Sequence, residues 1–568
     1  DNNNRLEALN GATLVLNSNV NNAVAGEIHA DNSLVLQSGQ RITGGTISTV
    51  NGGIFRANTS GSNYLDGTSI SGNFDMATIA NGRERVVNDL TLDGILDLNL
   101  NSVLSFEGNN TLAGDATVVL GDTGASNRIT LDGNGTTVLE SGVTIRGENG
   151  TIGGQFNIGG TQVLVNNGLI SADVSGGTVT LTESTVNNNN VLEARNGATL
   201  VLASDVTNSS SAEIHADNGL VLQSGQRVAG GTISSTNGGM FRVNNSGLNV
   251  LDATKITGVV DMASVANSRE RVVNGLTLDG LLNLDLNGIL SFEGDNTVGG
   301  SGSVVLGSTG ASNRITLEGN GTTTLGSGVT IRGQNGTIGA QVIFGGTQVL
   351  VNNGTINSDG GGTITLTESA LTNNGLVRAQ NGTLNSQVQV SGTGTLQVDS
   401  SGVMKLANVA NTQGVLAMGA TGAALDIGTQ NLTLTSDYTN VAAGSGNSFD
   451  RRAGVSGAGQ IVAGGDVAQA VTGSGITDGS TPNATLTIGN MRVGANTFNY
   501  QIANTGTSGP SLRGAIQTGV NGGNITDARL SGAGVTAGNY NTGAPGSDTG
   551  DLDVVFTAAS SGLLAPLV

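Results

Sequence analysis

The sequence has no cysteine, no tryptophan, 4 prolines in 568 residues and only 2% aromatics, 10 Phe and 4 Tyr. Without cysteine there are no disulfides, no thiolate metal sites and no cysteine nucleophile. Charged residues make up 11%, against about 25% in an ordinary soluble domain. Bases are the scarcest: 22 Lys plus Arg against 42 Asp plus Glu, a formal charge of −20, with Lys255 and Lys405 the only lysines. Nucleic-acid binding needs a basic face, so that class is excluded. The acidity is dilute and reads as a solubility feature or a weak cation atmosphere rather than a tail. No GxxxxGK[ST] loop occurs, which removes the P-loop. No run of about 18 apolar residues is present, which leaves no transmembrane helix.

What is abundant is glycine, 93 residues, with Asn, Thr, Val, Leu and Ile. Gly and Pro together make about 17%, below the roughly 25–30% of unstructured low-complexity chains. This mixture favours many short strands joined by tight turns. The strongest feature is duplication. IHADNSLVLQSGQR at Ile28 recurs as IHADNGLVLQSGQR at Ile214; RERVVN recurs at Arg83 and Arg269, LSFEG at Leu104 and Leu290, GASNRITL at Gly124 and Gly310, and GGTQVLVNNG at Gly159 and Gly345. Every one of these offsets is 186 residues. A third copy opens near Asn374 and diverges.

Inside each copy, short runs such as Thr178-Val179-Thr180-Leu181-Thr182 alternate apolar and polar residues between Asn-Gly, Gly-Gly and Asp-Gly pairs. Period-2 alternation means strands half buried on one face. A β-solenoid of stacked coils and a string of sandwiches both fit, and three features favour the solenoid. Proline is absent from residues 1–481, as a coil bonded on both sides requires. Aromatics are scarce, as in a narrow interior. Asn recurs at turns (Asn10, Asn51, Asn149, Asn167, Asn196, Asn353), where Asn side chains stack into ladders. At roughly 20 residues per coil, about 460 residues make roughly 23 coils, rising about 110 Å.

The expected organisation is all-β: long repeat 1 over 1–186, long repeat 2 over 187–371, a partial third repeat and final coils over 372–465, a junction over 466–480, and an Ig-like β-sandwich over 481–568. All four prolines lie in that last segment, with longer strand patterns at Ala484–Gly506 and Leu552–Ala558. Asp1–Arg5 aligns with the middle of a long repeat, so further coils are expected before it. The sandwich is expected to lack its last strand, leaving a slot that a neighbour's strand would fill.

These residues resemble the large secreted β-solenoid surface proteins of Gram-negative bacteria, in the style of filamentous haemagglutinin and autotransporter passengers. NLTLTSDYTN at Asn431, AGVSGAGQIVAGG at Ala453 and IGNMRVGANTFNYQIANTGTSGPSLRGAIQT at Ile488 are similar to the Ig-like module of choice-of-anchor type exported proteins. The resemblance implies export and residence at the bacterial cell surface, and implies no enzymatic activity.

Catalytic chemistry has few candidates. The two histidines, His29 and His215, are one repeat position in Glu-Ile-His-Ala-Asp, expected to lie beside Asp31 and Asp217 as structural groups, with no Ser-His-Asp triad or histidine zinc site. Asp93, Asp97 and Glu107, with Asp279, Asp285 and Glu293, are the acids to weigh for polysaccharide cleavage, which needs carboxylates converging on one groove. Position 283 is Asn where the first copy has Asp97, so the set is not kept in register. No cofactor is expected. Calcium is the metal the sequence leaves open, at Ser547–Asp553, whose other reading is a solvated turn. The densest charge clusters are Arg83-Glu84-Arg85 and Arg269-Glu270-Arg271, either local ion pairs on a loop or contacts to a neighbouring subunit's acids or an anionic sugar. Arg83, Arg85, Arg269 and Arg271, with Phe498 and Tyr500 in the sandwich, are the candidate assembly contacts.

Two functional classes follow. One is an extracellular structural protein that associates with copies of itself into a fibre, sheath or surface layer, by coil stacking or strand donation. The other is an adhesin stalk that holds a binding tip away from the cell, with surface glycans as its partner. A polysaccharide-acting enzyme ranks third.

Overall fold

The computed structural model describes residues 1–440 except 23, 125, 311, 420 and 421, and from 441 onward residues 455–458, 461–463, 469–477, 479, 485–486, 491–506, 512–516, 529–536, 538–542 and 546–560. The chain is all-β, a long β-solenoid of about 19 turns, with no helix among the described residues. It divides into two compact units, Asp1–Val329 with Gln341–Thr347, and Thr330–Ala340 with Gln348–Val568.

In the first unit each turn supplies three strands, one to each of three parallel sheets. Glu27–Asp31 pairs with Thr46–Val50 in the first sheet, Leu34–Gln37 with Ile54–Ala57 in the second, and Arg41–Thr43 with Tyr64–Met76 in the third. Corners between them fall at residues that tolerate left-handed backbone: Asn10, Asn32, Asn51 and Asn196 have φ of 54, 46, 52 and 55°, a region Asn enters more readily than other residues with a side chain. At Gly45 (φ +63°) a Cβ would stand 2.1 Å from the Asn22 amide of the preceding turn, so only glycine fits there.

Strand alternation sends every second side chain inward, where it lands on its counterpart one turn away. In the second sheet the column runs Val35, Phe55, Phe74, Leu96, Val118, Ile145, Ile170, Leu192, Ile214, Ile233, none more than 1% exposed. The Phe55 and Phe74 ring centroids are 4.9 Å apart. Burial of each such side chain is worth about 1.5–3 kcal/mol.

Polar columns run beside the apolar ones. Asn166 donates to Asn188 (2.8 Å) and Asn188 to Asn208 (2.9 Å), all three buried. Their repeat equivalents Asn2–Asn22 (2.7 Å) and Asn352–Asn373 (2.8 Å) do the same. The expected ladder therefore exists, but chiefly on other asparagines. Of the turn residues named above, Asn167 and Asn353 join short exposed pairs with Asn189 and Asn374, while Asn10, Asn51 and Asn196 serve as left-handed corners.

The long repeat is not a whole number of turns. From Glu27–Asp31 the first-sheet ladder reaches Val206–Asn208 after eight turns, and the repeat copy Glu213–Asp217 is the next strand, in the second sheet. The 186-residue repeat advances eight and a third turns, about 22 residues per turn. Turns are longer than the roughly 20 residues expected, and fewer than the roughly 23 expected, because corner loops add residues without adding strands: Glu27↔Thr46 spans 19 residues and Asn149↔Thr178 spans 29. Each second-copy feature sits one sheet round from its first-copy counterpart.

In the second unit the same three-strand turn recurs, as in Thr330–Gly333 with Thr355–Ser358 and that strand with Leu376–Ala379. The last solenoid strands described are Leu432–Asn440 and Ile461–Ala463. Beyond them pairing becomes antiparallel: Gln469–Thr472 with Gly494–Asn504, that strand with Leu552–Ala558, and Leu530–Ser531 with the last. The antiparallel part thus begins before 481, while much of 481–568 lies outside the described residues.

Leu192→Ala, in the middle of the second-sheet column, should cost about 2–5 kcal/mol, the range for a truncated buried leucine. Its urea midpoint should fall; an unchanged midpoint would show that the column does not hold the turns together.

Candidate functional site

The two Arg-Glu-Arg clusters lie at the start of strands Arg83–Leu98 and Arg269–Leu278, not on loops. Alternation points the arginines outward and Glu84 and Glu270 inward, where both are 0% exposed. The expectation of a local ion pair is therefore corrected: the acid and its flanking arginines face opposite sides of the sheet. The arginines take partners from other turns instead. Arg85 pairs with Glu107 and lies over the Tyr64 ring at 4.3 Å. Arg271 grips Glu293 with two nitrogens, at 2.5 and 2.8 Å. Arg83 stacks at 4.9 Å on Phe156, which Arg128 also approaches at 5.8 Å. Among the described residues, Arg83, Arg128, Arg269 and Arg314 form no ion pair, unlike most solenoid arginines.

Phe156 belongs to a corner loop, 153–161, whose copy is the loop 341–347. Phe156 and Ile158 are 39 and 45% exposed, and Val342, Ile343 and Phe344 are 39, 39 and 62% exposed. In each copy a carboxylate holds the loop by its backbone. Asp132 accepts N–H bonds from Phe156, Asn157 and Ile158 at 2.7, 2.9 and 3.2 Å. Glu318 accepts from Val342, Ile343 and Phe344 at 2.6, 3.0 and 2.9 Å. Burial would raise both carboxyls, but the Ser105 hydroxyl and three N–H groups on Asp132, and the three N–H groups on Glu318, outweigh it and hold both below the usual range. Gly346 (φ +121°) closes the loop where a Cβ would stand 2.0 Å from the Gly319 carbonyl oxygen. Phe344 then lies 5.7 Å from Arg271. The outcome is a rigid apolar tip beside arginines, built twice.

Glu84 and Glu270 are a second pair of repeat-equivalent groups. Neither carboxyl has a hydrogen bond of ordinary geometry. Burial pushes both well above the usual carboxylate range; the Arg85 N–H opposes it at Glu84, and the Arg271 N–H and Gln223 amide oppose it at Glu270.

The remaining candidates stay apart. His29 Nδ1 meets Ser48 Oγ at 2.6 Å, and that hydroxyl also bonds Glu27; His215, Ser234 and Glu213 repeat the arrangement. The hydroxyl sits between acid and imidazole, the wrong order for a triad, in which the imidazole lies between. Asp31, expected beside His29, bonds Asn51, whereas Asp217 does reach the vicinity of His215 through Thr236. Of the acids, Asp93 and Asp285 accept backbone N–H bonds, Glu107 and Glu293 pair with arginine, Asp279 with Lys255, and Asp97, raised by burial and by the Asp75 charge, stands in the second sheet. Glu107 is in the third sheet and Asp97 in the second, so the first-copy set does not converge. Among the described residues no three His, Asp or Glu side chains group as metal ligands, at 548–553 or elsewhere. Phe498 and Tyr500 lie on Gly494–Asn504, and Tyr500 donates to the Gly534 carbonyl at 2.8 Å. Among the described residues no helix is long and apolar enough to cross a membrane.

Sequence reasoning reached the arginines but not the loop. The available signal was QVIF ahead of Gly-Gly, an apolar triplet without alternation; its first-copy counterpart QFNI alternates and gave none. No protein-family model and no curated protein matches this chain.

The buried glutamates set a pH dependence. In the unfolded chain they ionise near the ordinary value of 4.5, while in the fold burial holds their protons to a pH well above that. The folded state then binds more protons, and stability falls as pH rises above 4.5. Glu84→Gln with Glu270→Gln should raise the melting temperature at pH 7, leave it nearly unchanged at pH 4, and flatten the profile between. An unaltered slope in a calorimetric series would show that these carboxyls ionise freely.

Proposed function

We propose that this chain is an extracellular structural protein of a bacterial surface that associates with copies of itself into a fibre, sheath or surface layer. The observation that carries the reading is repetition: each long repeat holds out the same kind of apolar loop, held by a carboxylate and set beside arginine, Phe156 on Arg83 and Arg128 and Phe344 on Arg271. A single exposed aliphatic residue needs no explanation, but a rigid apolar tip that recurs marks a contact. The outward faces between the loops are shallow and rich in Thr, Asn and Ser, and the acids weighed for catalysis are engaged in holding corners and arginines. No catalytic role is assigned. We read 481–568 as an Ig-like sandwich with an open strand position, a second joint through which a neighbour's strand would add.

Electron microscopy of the protein as released from cells, without denaturant, tests the reading. Regular filaments or sheets are expected, and removal of residues 481–568 should shorten or abolish them if strand donation contributes. Unassociated particles at every concentration would overturn self-assembly and leave the adhesin stalk as the better account.

A further inference from the structure

The extra third of a turn has a consequence for which surfaces share a side of the first unit. The second-copy loop emerges where the first sheet meets the second, beside Gly319, whose N–H bonds the Gly345 carbonyl at 2.7 Å. Arg269 and Arg314 lie in the first sheet two turns apart, with Ile289 between them, a separation of about 10 Å. Had the repeat been a whole number of turns, this set would sit in the third sheet like Arg83 and Arg128.

Arg269 and Arg314 open their first-sheet strands, and the first-to-second edge at the other end of those strands, where the loop emerges, carries acids about eight turns earlier. Asp93, Asp115 and Glu140 occupy that corner on three successive turns, all exposed and none with a basic partner among the described residues. Asp93 and Glu140 are two turns apart, the spacing of Arg269 and Arg314. In the second copy these acids become Asp279, which is bridged to Lys255 at 3.2 Å, Ser301 and Gly326. The acidic stripe therefore belongs to the first repeat alone.

We propose that a second copy of this chain docks here, the first-sheet face that carries its Arg269 and Arg314 and the Phe344 loop at the edge of that face set against Asp93, Asp115 and Glu140 of the first. The inference rests on the self-association reading and names the surface it uses. Charge complementarity fixes register and suppresses wrong pairings, and the apolar tip supplies area that leaves water. Glu318 already holds the loop backbone, so little ordering cost remains to be met on docking. An acidic chain repels its copies at long range; two arginines free of internal partners, set opposite three free acids, give the local attraction that reverses this.

Charge exchange tests it with the full chain. One variant carries Asp93→Lys, Asp115→Lys and Glu140→Lys; the other carries Arg269→Glu and Arg314→Glu. All five positions are at the surface, and circular dichroism checks that each variant folds. In sedimentation velocity each variant alone should need at least about tenfold higher concentration to associate than the unaltered protein, the factor for about 1.4 kcal/mol. An equimolar mixture of the two should recover association, because each altered surface then meets its new complement. Variants that associate like the unaltered protein would overturn this contact and leave self-association standing on another surface. Loss in both variants without recovery in the mixture would overturn the pairing of these two surfaces. Failure of the unaltered protein to associate would remove the functional reading and this contact together.

Discussion

Between the first and last described turns, strands of the solenoid bond their backbone to the turn before and the turn after, and the rest of the molecule is subordinate to that ladder. A coil closed in this way leaves no N–H to spare, so proline is absent until residue 482, and glycine or asparagine makes most of the left-handed corners. The ladder also fixes side-chain register: once Ile28 stands under Ile47, each inward residue of a turn stands under its counterpart. Small errors of fit would accumulate along such a column, which is why the interior is almost entirely Val, Leu and Ile with occasional Phe, and why buried asparagines appear in stacks that satisfy one another.

The same constraint governs the surface. Outward residues stand about 4.8 Å apart from turn to turn, which makes ion pairs between turns the default and explains the fate of most arginines: Arg56 with Asp75, Arg242 with Asp261, Arg378 with Asp399. Against that background, Arg83, Arg128, Arg269 and Arg314 stand out by their lack of an acid, and Arg83 and Arg128 lie over Phe156, a loop residue that reaches solvent. The interior glutamates break the pattern in the other direction, as ionisable groups committed to the core at the same place in both repeats.

Much of this was legible in the sequence. Period-2 alternation, Asn-Gly punctuation and missing proline specify stacked coils, and the 186-residue offset is visible by eye. Three things were not. Turns could not be counted, because corners range from a single residue to the nine of 153–161. The one-third-turn phase was hidden in Tyr64–Met76 and Arg83–Leu98, which pass through all three sheets as unbroken strands, with corners at Gly67, Gly72, Asn88, Asp89 and Gly94. The Arg-Glu-Arg clusters invited a pairing within the triplet, which strand alternation forbids: neighbours along a strand point to opposite faces. Nor could the loop's role be read, since Asp132 and Glu318 hold it from a turn away.

The phase of the long repeat is the claim on which the surface argument turns, and electron cryomicroscopy that resolves individual strands tests it most directly. The expected map shows loops 153–161 and 341–347 on neighbouring edges, eight and a third turns apart, about 40 Å along the axis. A map with both loops on one edge, a whole number of turns apart, would contradict it.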